Sequence, residues 1–249
     1  IDSMKGSYLG PSYDKSFIKE ELIKINAKFR ILSDDELTNY TADSLSKGKI
    51  VGWFQGRMEF GPRALGNRSI LADPTLGLMQ KNLNLKVKFR ESFRPFAPSI
   101  LIEDLENWFE LRNASPYMQF VSFVNKNKRI AIAKEQKKLF GIEKLNVKRS
   151  SIPAVTHVDY SSRIQTVNSQ TNRRYYNLIS KFKEKTNCPI LVNTSFNVRG
   201  EPIVNSPTDA YKCFMGTGLD VLIIENFVIE KKSQNKKEIH DYKKLFDQD

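Results

Sequence analysis

The chain has 249 residues, of which 40% are hydrophobic and 27% are charged, as in ordinary globular domains. It contains no apolar run near the roughly 18 residues that a membrane-spanning helix needs, and its two cysteines are too few for a disulfide framework, so a reducing cytoplasm is the expected compartment. Forty Lys and Arg against 28 Asp and Glu give a net charge of +12, which indicates an anionic partner: nucleic acid, a membrane surface or phosphorylated small molecules.

The first half of the chain alternates short predicted helices with apolar strands. Residues 1–5 resemble neither a secretory signal nor an initiator region, so the chain is expected to be cut from a longer protein. Ser33 and Glu36 have capping-box spacing, which predicts the start of a helix. The predicted helices are 15–28, 33–47 and 76–88, and the predicted strands are 50–54, 69–72, 97–102 and 118–124.

The second half begins with a Lys-rich segment, residues 125–150, which carries nine basic and two acidic side chains and is expected to be solvated surface. A hairpin is predicted around residues 159–162, and Pro207 suits the first turn of a helix. The remaining predicted elements are the hairpin arms 154–158 and 163–167, the helices 172–185 and 207–215, and the strands 189–192, 221–224 and 227–229.

This succession predicts an α/β domain with a mixed, twisted sheet flanked by helices. Residues 1–30 are interpreted as an N-terminal linker with a lead-in helix, residues 31–232 as a single domain, and residues 233–249 as a charged C-terminal tail.

The segment GRMEFGPRALGNRS, residues 56–69, directly follows a predicted strand and therefore lies at a sheet edge, where ligand loops of α/β folds gather. It contains Arg57, Arg63 and Arg68, and the planar guanidinium matches phosphate oxygens bidentately. Glu59 is the local counter-charge and is expected to orient one of these arginines. The alternative is a Gly-rich turn whose arginines pair with surface carboxylates. The segment is neither a Walker loop nor a dinucleotide fingerprint.

Two further blocks repeat the pattern of cations and polar side chains near strand ends. In the block at residues 88–98, Lys88, Arg90 and Arg94 alternate with phenylalanines. The rings can therefore pack into the core while the cations project toward the opening of one binding site. Such interleaving also occurs in single-strand nucleic-acid sites, but the flanking prolines favour core packing of the rings. The block at residues 193–202 follows an all-apolar strand with small amide and hydroxyl side chains and Arg199, which suit phosphate or carbonyl oxygens; a polar loop capping a helix is the alternative.

The two histidines give little indication of metal or acid–base chemistry. His157 lies beside Asp159, and a structural role is favoured there over that of a general base. Without Cys/His spacing, an intrinsic zinc site is not expected.

In the order of the chain, four strings resemble the NodU/CmcH/TobZ carbamoyltransferases: GRMEFGPRALGNRSILADP at 56–74, FRPFAPS at 93–99, HVD at 157–159 with RIQTV at 163–167, and NTSFNVRGEP at 193–202. The resemblance covers about residues 7–230 and matches the C-terminal, YrdC-like domain of that family. It implies that residues 31–232 form a single YrdC-like domain. It further implies a separate N-terminal, actin-like domain, which alone would hold iron or another metal.

The resemblance also implies a function. Such a domain binds ATP, with magnesium beside its phosphates, and carbamoyl phosphate, and it forms carbamoyl adenylate for transfer to a hydroxyl acceptor in natural-product biosynthesis. Lys88, Arg63 and Arg94 are the implied catalytic residues. The implied substrate-binding residues are Arg63, Lys88, Arg94, Arg163, Asn193 and Ser195, with Arg57, Arg68 and Arg199 as neighbouring candidates. A catalytically silent partner domain and a basic RNA-binding module are the alternative functions, and nucleic acid is the less favoured partner.

Overall fold

The computed structural model describes residues 2–235 together with Tyr242 and Phe246. In that part of the chain the strands are β1 (Arg30–Ile31), β2 (Val51–Phe54), β3 (Arg68–Ala72), β4 (Ala97–Leu101), β5 (Phe120–Phe123), β6 (Ser161–Val167), β7 (Ile190–Ser195), β8 (Val221–Ile224) and β9 (Phe227–Glu230). The helices are α1 (Lys15–Lys24), α2 (Asp34–Ser46), α3 (Met79–Leu83), α4 (Leu105–Trp108), α5 (Lys134–Lys137), α6 (Gly141–Leu145), α7 (Arg173–Thr186) and α8 (Pro207–Gly216).

All of these strands belong to one sheet, in the order β1-β9-β8-β2-β3-β7-β4-β6-β5. The pairs β2–β8 and β4–β6 are parallel, and the other neighbours are antiparallel. Helices α2 and α7 pack on each other and on the sheet, and α1 and α8 form a second pair near β2 and β8. The predicted α/β class and the mixed sheet are confirmed. The central strands β2, β3, β4 and β8 are buried along their whole length, and the parallel neighbours β2 and β8 are continuous apolar runs in the sequence.

Local sequence signals place the longer helices. Ser33 caps α2, and its capping box with Glu36 is present as predicted. Pro207 lies in the first turn of α8, after Ser206 as the cap. The helix predicted over 76–88 starts only at Met79 and continues beyond α3 as a π-helical turn over Asn84–Lys88. None of the described helices combines the length and the apolar character needed to cross a bilayer.

The predicted hairpin around residues 159–162 is wrong in its first arm. Pro153–Val155 forms a 3₁₀ turn, because buried hydroxyl groups bind the local backbone: Ser162 Oγ donates to the Val155 carbonyl at 2.5 Å and Thr156 Oγ1 to the Ile152 carbonyl at 2.8 Å. The second arm is present as β6, which pairs with β5 and β4 instead.

Both ends of the predicted domain contact the core. Residues Arg30–Ile31 pair with β9, so the sheet begins at the edge of the segment predicted as a lead-in. In the predicted tail of residues 233–249, Tyr242 and Phe246 pack against the core, and the Tyr242 hydroxyl donates to Glu201 Oε1. Residues 236–241, 243–245 and 247–249 lie outside the described part of the chain. The predicted domain boundaries stay predictions.

Candidate functional site

A polar pocket of about 140 Å³ lies where the loop after β2 meets the ends of β4, β6 and β7. Arg63 comes from the Gly-rich loop, Arg90 from the residues that follow the π-helical turn, and Arg163 from β6. Asn193 and Ser195 come from the end of β7. The sheet therefore brings together Arg63, Arg163, Asn193 and Ser195 from three separate sequence blocks.

The three pocket arginines (Arg63, Arg90 and Arg163) have no carboxylate partner within 4 Å among the described residues. Burial, followed by the charge of Arg63, lowers the pKa of Arg163. Burial, with a smaller effect from Arg94, lowers the pKa of Arg90 to about 10. Clustered cations without counter-charges favour a bound anion, because an anion offsets both their desolvation and their repulsion.

Arg90 was not among the site residues selected from the sequence, although it lies two residues after Lys88. Its Nε donates to Asn84 Oδ1 at 2.7 Å, and its guanidinium lies 5.0 Å from the centre of the Phe96 ring. Asn84 in turn donates to the carbonyl groups of Ser92 and Arg94, at 3.1 and 2.8 Å. This amide fixes both Arg90 and the loop that follows it.

Asn193 also forms part of the pocket wall. Its Nδ2 donates to Gln165 Oε1 at 2.7 Å and to the Ala64 carbonyl at 3.0 Å, while its Oδ1 is buried without a partner. Gln165 also accepts from Ser99 Oγ and donates to the Leu65 carbonyl. Arg163 Nε is likewise buried without a partner. Two residues that line the pocket thus each contain an unpaired buried group, an acceptor in Asn193 and a charged donor in Arg163, and such groups are costly unless a partner pairs with them.

Lys88 lies behind this wall and does not line the pocket. Its Nζ is surrounded by four oxygens of the 195–197 segment, namely the carbonyl and hydroxyl of Ser195 and the carbonyl and side-chain oxygen of Asn197, at 2.6 to 3.2 Å. Ser195 Oγ also donates to Asn197 Oδ1 at 2.7 Å. Burial lowers the pKa of Lys88 to about 7, while the four acceptors favour its ammonium form. Lys88 therefore positions Ser195, which does line the pocket.

Asn197 and Gln165 were missed by the sequence analysis. Asn197 could have been found from its place in the NTSFN string. Gln165 could have been found because a polar side chain in the middle of the buried strand β6 must have a hydrogen-bonding purpose.

Arg68, predicted as a neighbouring substrate contact, is fully buried away from the pocket lining. Its guanidinium donates to the carbonyls of Gln55, Gly56, Asn67 and Pro11 at 2.8 to 3.3 Å and lies 3.4 Å from the centre of the Phe54 ring. These contacts occupy its Nη donors with main chain, while its Nε is buried without a partner, so the geometry gives Arg68 a structural position.

Glu59 does not orient an arginine, which corrects the expectation from the sequence. Its Oε1 accepts from the backbone amides of Leu65, Asn67 and Arg68 at 2.7, 2.8 and 3.3 Å. Burial raises the pKa of Glu59, and these amide bonds oppose that rise. The reason is that the glycine-rich loop folds back on itself and its amide groups need an acceptor. Glu59 thereby holds the loop that carries Arg63.

Arg57, Arg94 and Arg199 do not line the pocket. Arg57 is exposed and donates to the Leu9 carbonyl at 3.3 Å. Arg199 pairs with Glu91 at 3.4 Å. Arg94 is exposed on the loop held by Asn84. Their roles as substrate contacts stay predictions.

No group of three or more His, Cys, Asp or Glu side chains suited to a metal ion occurs in the described part of the chain. The pocket lining itself contains no carboxylate. The residues around the pocket therefore do not fit a protein-held magnesium ion, which prefers carboxylate oxygens.

Comparison with known proteins adds a family to this geometry. Residues 42–231 match the family model described as carbamoyltransferase C-terminus. An uncharacterized protein of Synechocystis is 54% identical over 95% of this chain and 39% of its own length. Nodulation protein NolO of Bradyrhizobium diazoefficiens is 41% identical over 90% of this chain and 38% of its own length.

A 3'-hydroxymethylcephem-O-carbamoyltransferase of Amycolatopsis lactamdurans is 34% identical over 78% of this chain and 32% of its own length. The chain therefore spans about one third to two fifths of the length of these relatives. Among solved structures, full-length HypF in its phosphate- and nucleotide-bound form aligns with a TM-score of 0.47 and 16% identity, over 77% of this chain and 25% of HypF.

Proposed function

The chain belongs to the carbamoyltransferase C-terminus family, and on that premise we propose that its arginine-lined pocket binds carbamoyl phosphate beside ATP and forms carbamoyl adenylate. The observation that carries the proposal is the pair of unsatisfied buried atoms, Arg163 Nε and Asn193 Oδ1. Carbamoyl phosphate offers an anionic phosphoryl group to the first and an amide N–H to the second. Few small anions carry both groups.

The chemistry has two steps. Carbamoyl phosphate reacts with water to give carbamate and inorganic phosphate. A carbamate oxygen then attacks the α-phosphorus of ATP, the bond to the β-phosphate breaks, and pyrophosphate leaves with that electron pair. The first step releases a phosphate anion and the second brings two anions together, so fixed cations must stabilise the phosphate and screen the repulsion between carbamate and ATP.

The protein supplies positioning and electrostatic stabilisation. Arg63, Arg90 and Arg163 are proposed to bind the phosphoryl oxygens, since they have no carboxylate partner among the described residues. Lys88 acts as a positioning residue through Ser195 and Asn197. By analogy with other preorganised donors, losing one pocket arginine costs about 3–4 kcal/mol in the transition state.

The rest of the proposed reaction depends on groups outside this pocket. Magnesium is proposed to arrive on the ATP phosphates, because the lining residues offer no carboxylate. The hydroxyl acceptor, the actin-like domain that would carry it and the metal of that domain follow from the family resemblance. A natural-product acceptor and a cytoplasmic location are part of the same proposal.

Isothermal titration with carbamoyl phosphate, with ATP–magnesium and with both together tests the proposal, followed by measurement of pyrophosphate release. We expect Arg163→Gln to weaken carbamoyl phosphate binding by about 10- to 150-fold, the value of a lost charge-assisted hydrogen bond. Arg112→Gln is the matched control, because Arg112 is exposed and outside the pocket. The proposal fails for this chain if the wild type binds no carbamoyl phosphate at millimolar concentration, or if Arg163→Gln binds it normally.

A further inference from the structure

A second cavity, of about 60 Å³, lies between α3, the loop of residues 89–95 and the Lys-rich segment of residues 125–150. By the same measure a site needs only about 10–15 Å³ to hold a water molecule, so the cavity admits a group of several heavy atoms. Leu145, Val147 and Pro153 provide apolar walls. Such walls lower the local dielectric constant and strengthen any ionic contact made inside.

The charged lining of this second cavity is entirely cationic. Lys81 comes from α3, and Lys148 and Arg149 come from the end of the Lys-rich segment; no carboxylate lines the cavity. These three cations make no ion pair within 4 Å in the described part of the chain. Lys81 and Lys148 are exposed and Arg149 is buried, and all three line the same space.

Of these three cations, Arg149 is the one whose charge is not stabilised by contact with solvent. Its side chain belongs to a residue only 3% exposed, and its Nε is buried without a partner. Its Nη2 donates to the carbonyls of Lys144 and Leu145, at the end of α6. The carboxylate of Asp159 attracts it only from beyond ion-pair distance and is already bonded to Ser161. A buried guanidinium with so little compensation is costly, and an anion in the cavity would supply the counter-charge.

We propose that this second cavity binds one phosphate-sized tetrahedral oxyanion, held by Arg149, Lys81 and Lys148. Ser92 adds a hydroxyl group to the lining. The site is separate from the arginine-lined pocket, although the loop of residues 89–95 contributes Arg90 to the pocket and Ser92 to the second cavity. The inference stands independently of the proposed reaction, because it needs only the geometry of these side chains.

The test is the number of inorganic phosphate ions bound per chain, measured by titration calorimetry at constant ionic strength maintained with chloride. We expect two sites in the wild type, one in the arginine-lined pocket and one in the second cavity. The double variant Lys81→Gln/Lys148→Gln should lose the second site, with affinity falling on the order of tenfold for each charged contact removed. In Arg163→Gln the second site should remain.

The matched control is Lys134→Gln/Lys138→Gln, which removes two charges from the same segment at positions that do not line the cavity. Arg149→Met should also lose the site, but it can disturb the end of α6, so the lysine pair is the deciding variant. The inference is wrong if Lys81→Gln/Lys148→Gln keeps the wild-type number of sites, or if all phosphate binding disappears in Arg163→Gln. A single wild-type site that survives in Arg163→Gln and is lost in the lysine pair would support this inference and contradict phosphate binding in the pocket.

Discussion

Arg68 and Arg163 belong to the same sheet, yet their guanidinium groups have opposite surroundings. Arg68 is fully buried and gives its Nη hydrogens to four backbone carbonyls, from residue 11, residues 55–56 and residue 67. Arg163 is half-buried, lines the pocket together with Arg63 and makes no ion pair among the described residues, while the Nε atoms of both Arg68 and Arg163 are buried without a partner. The guanidinium of Arg68 links segments of main chain, whereas the guanidinium of Arg163 can still bind a ligand.

The difference teaches that the partners of an arginine, more than its motif, determine its role. Carbonyl groups are fixed parts of the fold, so an arginine whose donors they occupy contributes to stability and has little left for a ligand. An arginine beside other cations contributes little to stability and gains most when an anion arrives. Substitutions at the two positions should therefore affect different measurements.

The largest effect is expected for Arg68→Leu. Removing this guanidinium leaves several buried carbonyl groups without a donor, so the free energy of unfolding should fall by about 3–5 kcal/mol. The melting temperature should fall by roughly 10 °C. Arg112→Leu, at an exposed position, should melt close to the wild type. If Arg68→Leu melted at the wild-type temperature, the carbonyl contacts would not stabilise the fold as described.

Arg163→Gln should show the reverse pattern. Without ligand its free energy of unfolding should stay within about 1 kcal/mol of the wild type, because losing a partly buried charge also removes the repulsion from Arg63. Its melting temperature should no longer rise when phosphate is added at a concentration that fills only the arginine-lined pocket. A destabilisation as large as that of Arg68→Leu would show that both arginines are structural.

A smaller effect is expected from the titration of Lys88. Burial lowers the pKa of Lys88 to about 7, whereas the unfolded chain keeps a lysine pKa near 10.5. A nearby anion favours the ammonium form, so sulfate binding should raise this pKa and take up protons. Sulfate affinity should therefore be highest below pH 7 and fall as the pH rises from 7 to 9, by about fivefold for a coupling of about 1 kcal/mol.

Sulfate is the suitable probe because it does not titrate in this range, and burial lowers the pKa of His157 from its ordinary value, away from the range of pH 7 to 9. Lys88→Arg should keep the high affinity at every pH, and Lys88→Met should bind weakly with no pH dependence. A wild-type affinity that is constant between pH 6 and 9 would contradict a neutral–charged transition at Lys88. The stability of the wild type gives a second check. Between pH 7 and 10.5 Lys88 is protonated in the unfolded chain but neutral in the folded protein, so Lys88 makes the free energy of unfolding rise with pH.

Much of the fold could be predicted from local signals. The capping box at Ser33 and Glu36, the proline at the start of α8 and the apolar runs of β2 and β8 depend on neighbouring residues, which the sequence displays directly. The false hairpin arm at 154–158 had a strand-like pattern, but the buried hydroxyl of Ser162 binds the Val155 carbonyl from outside that segment, and the hydroxyl of Thr156 binds the Ile152 carbonyl before it. Such competing contacts depend on tertiary structure and cannot be seen in a local pattern.

The site could be predicted in its composition and only partly in its geometry. Arg63, Arg163, Asn193 and Ser195 do come together, although they are spread over residues 63–195 of the chain. The family resemblance put Arg63 before Arg68, but the residue pattern alone could not separate them, because both lie in one Gly-rich segment and only the fold determines which guanidinium meets carbonyl groups. It also interpreted the Lys-rich segment as plain surface, since the burial of Arg149 depends on how α6 packs.

The smallest effect is expected for Arg199→Gln. Arg199 lies beside the pocket in sequence, but its guanidinium pairs with Glu91 at 3.4 Å, and the Glu91 side chain is 45% exposed. Pairs of this kind contribute about 0–1 kcal/mol, because water screens them and both side chains lose freedom. Arg199→Gln should therefore change sulfate affinity by less than about twofold, whereas Arg163→Gln changes it by tenfold or more. A loss as large as that of Arg163→Gln would mean that Arg199 leaves Glu91 and reaches the anion. The distinction drawn from the partners of each arginine would then hold only for the ligand-free protein.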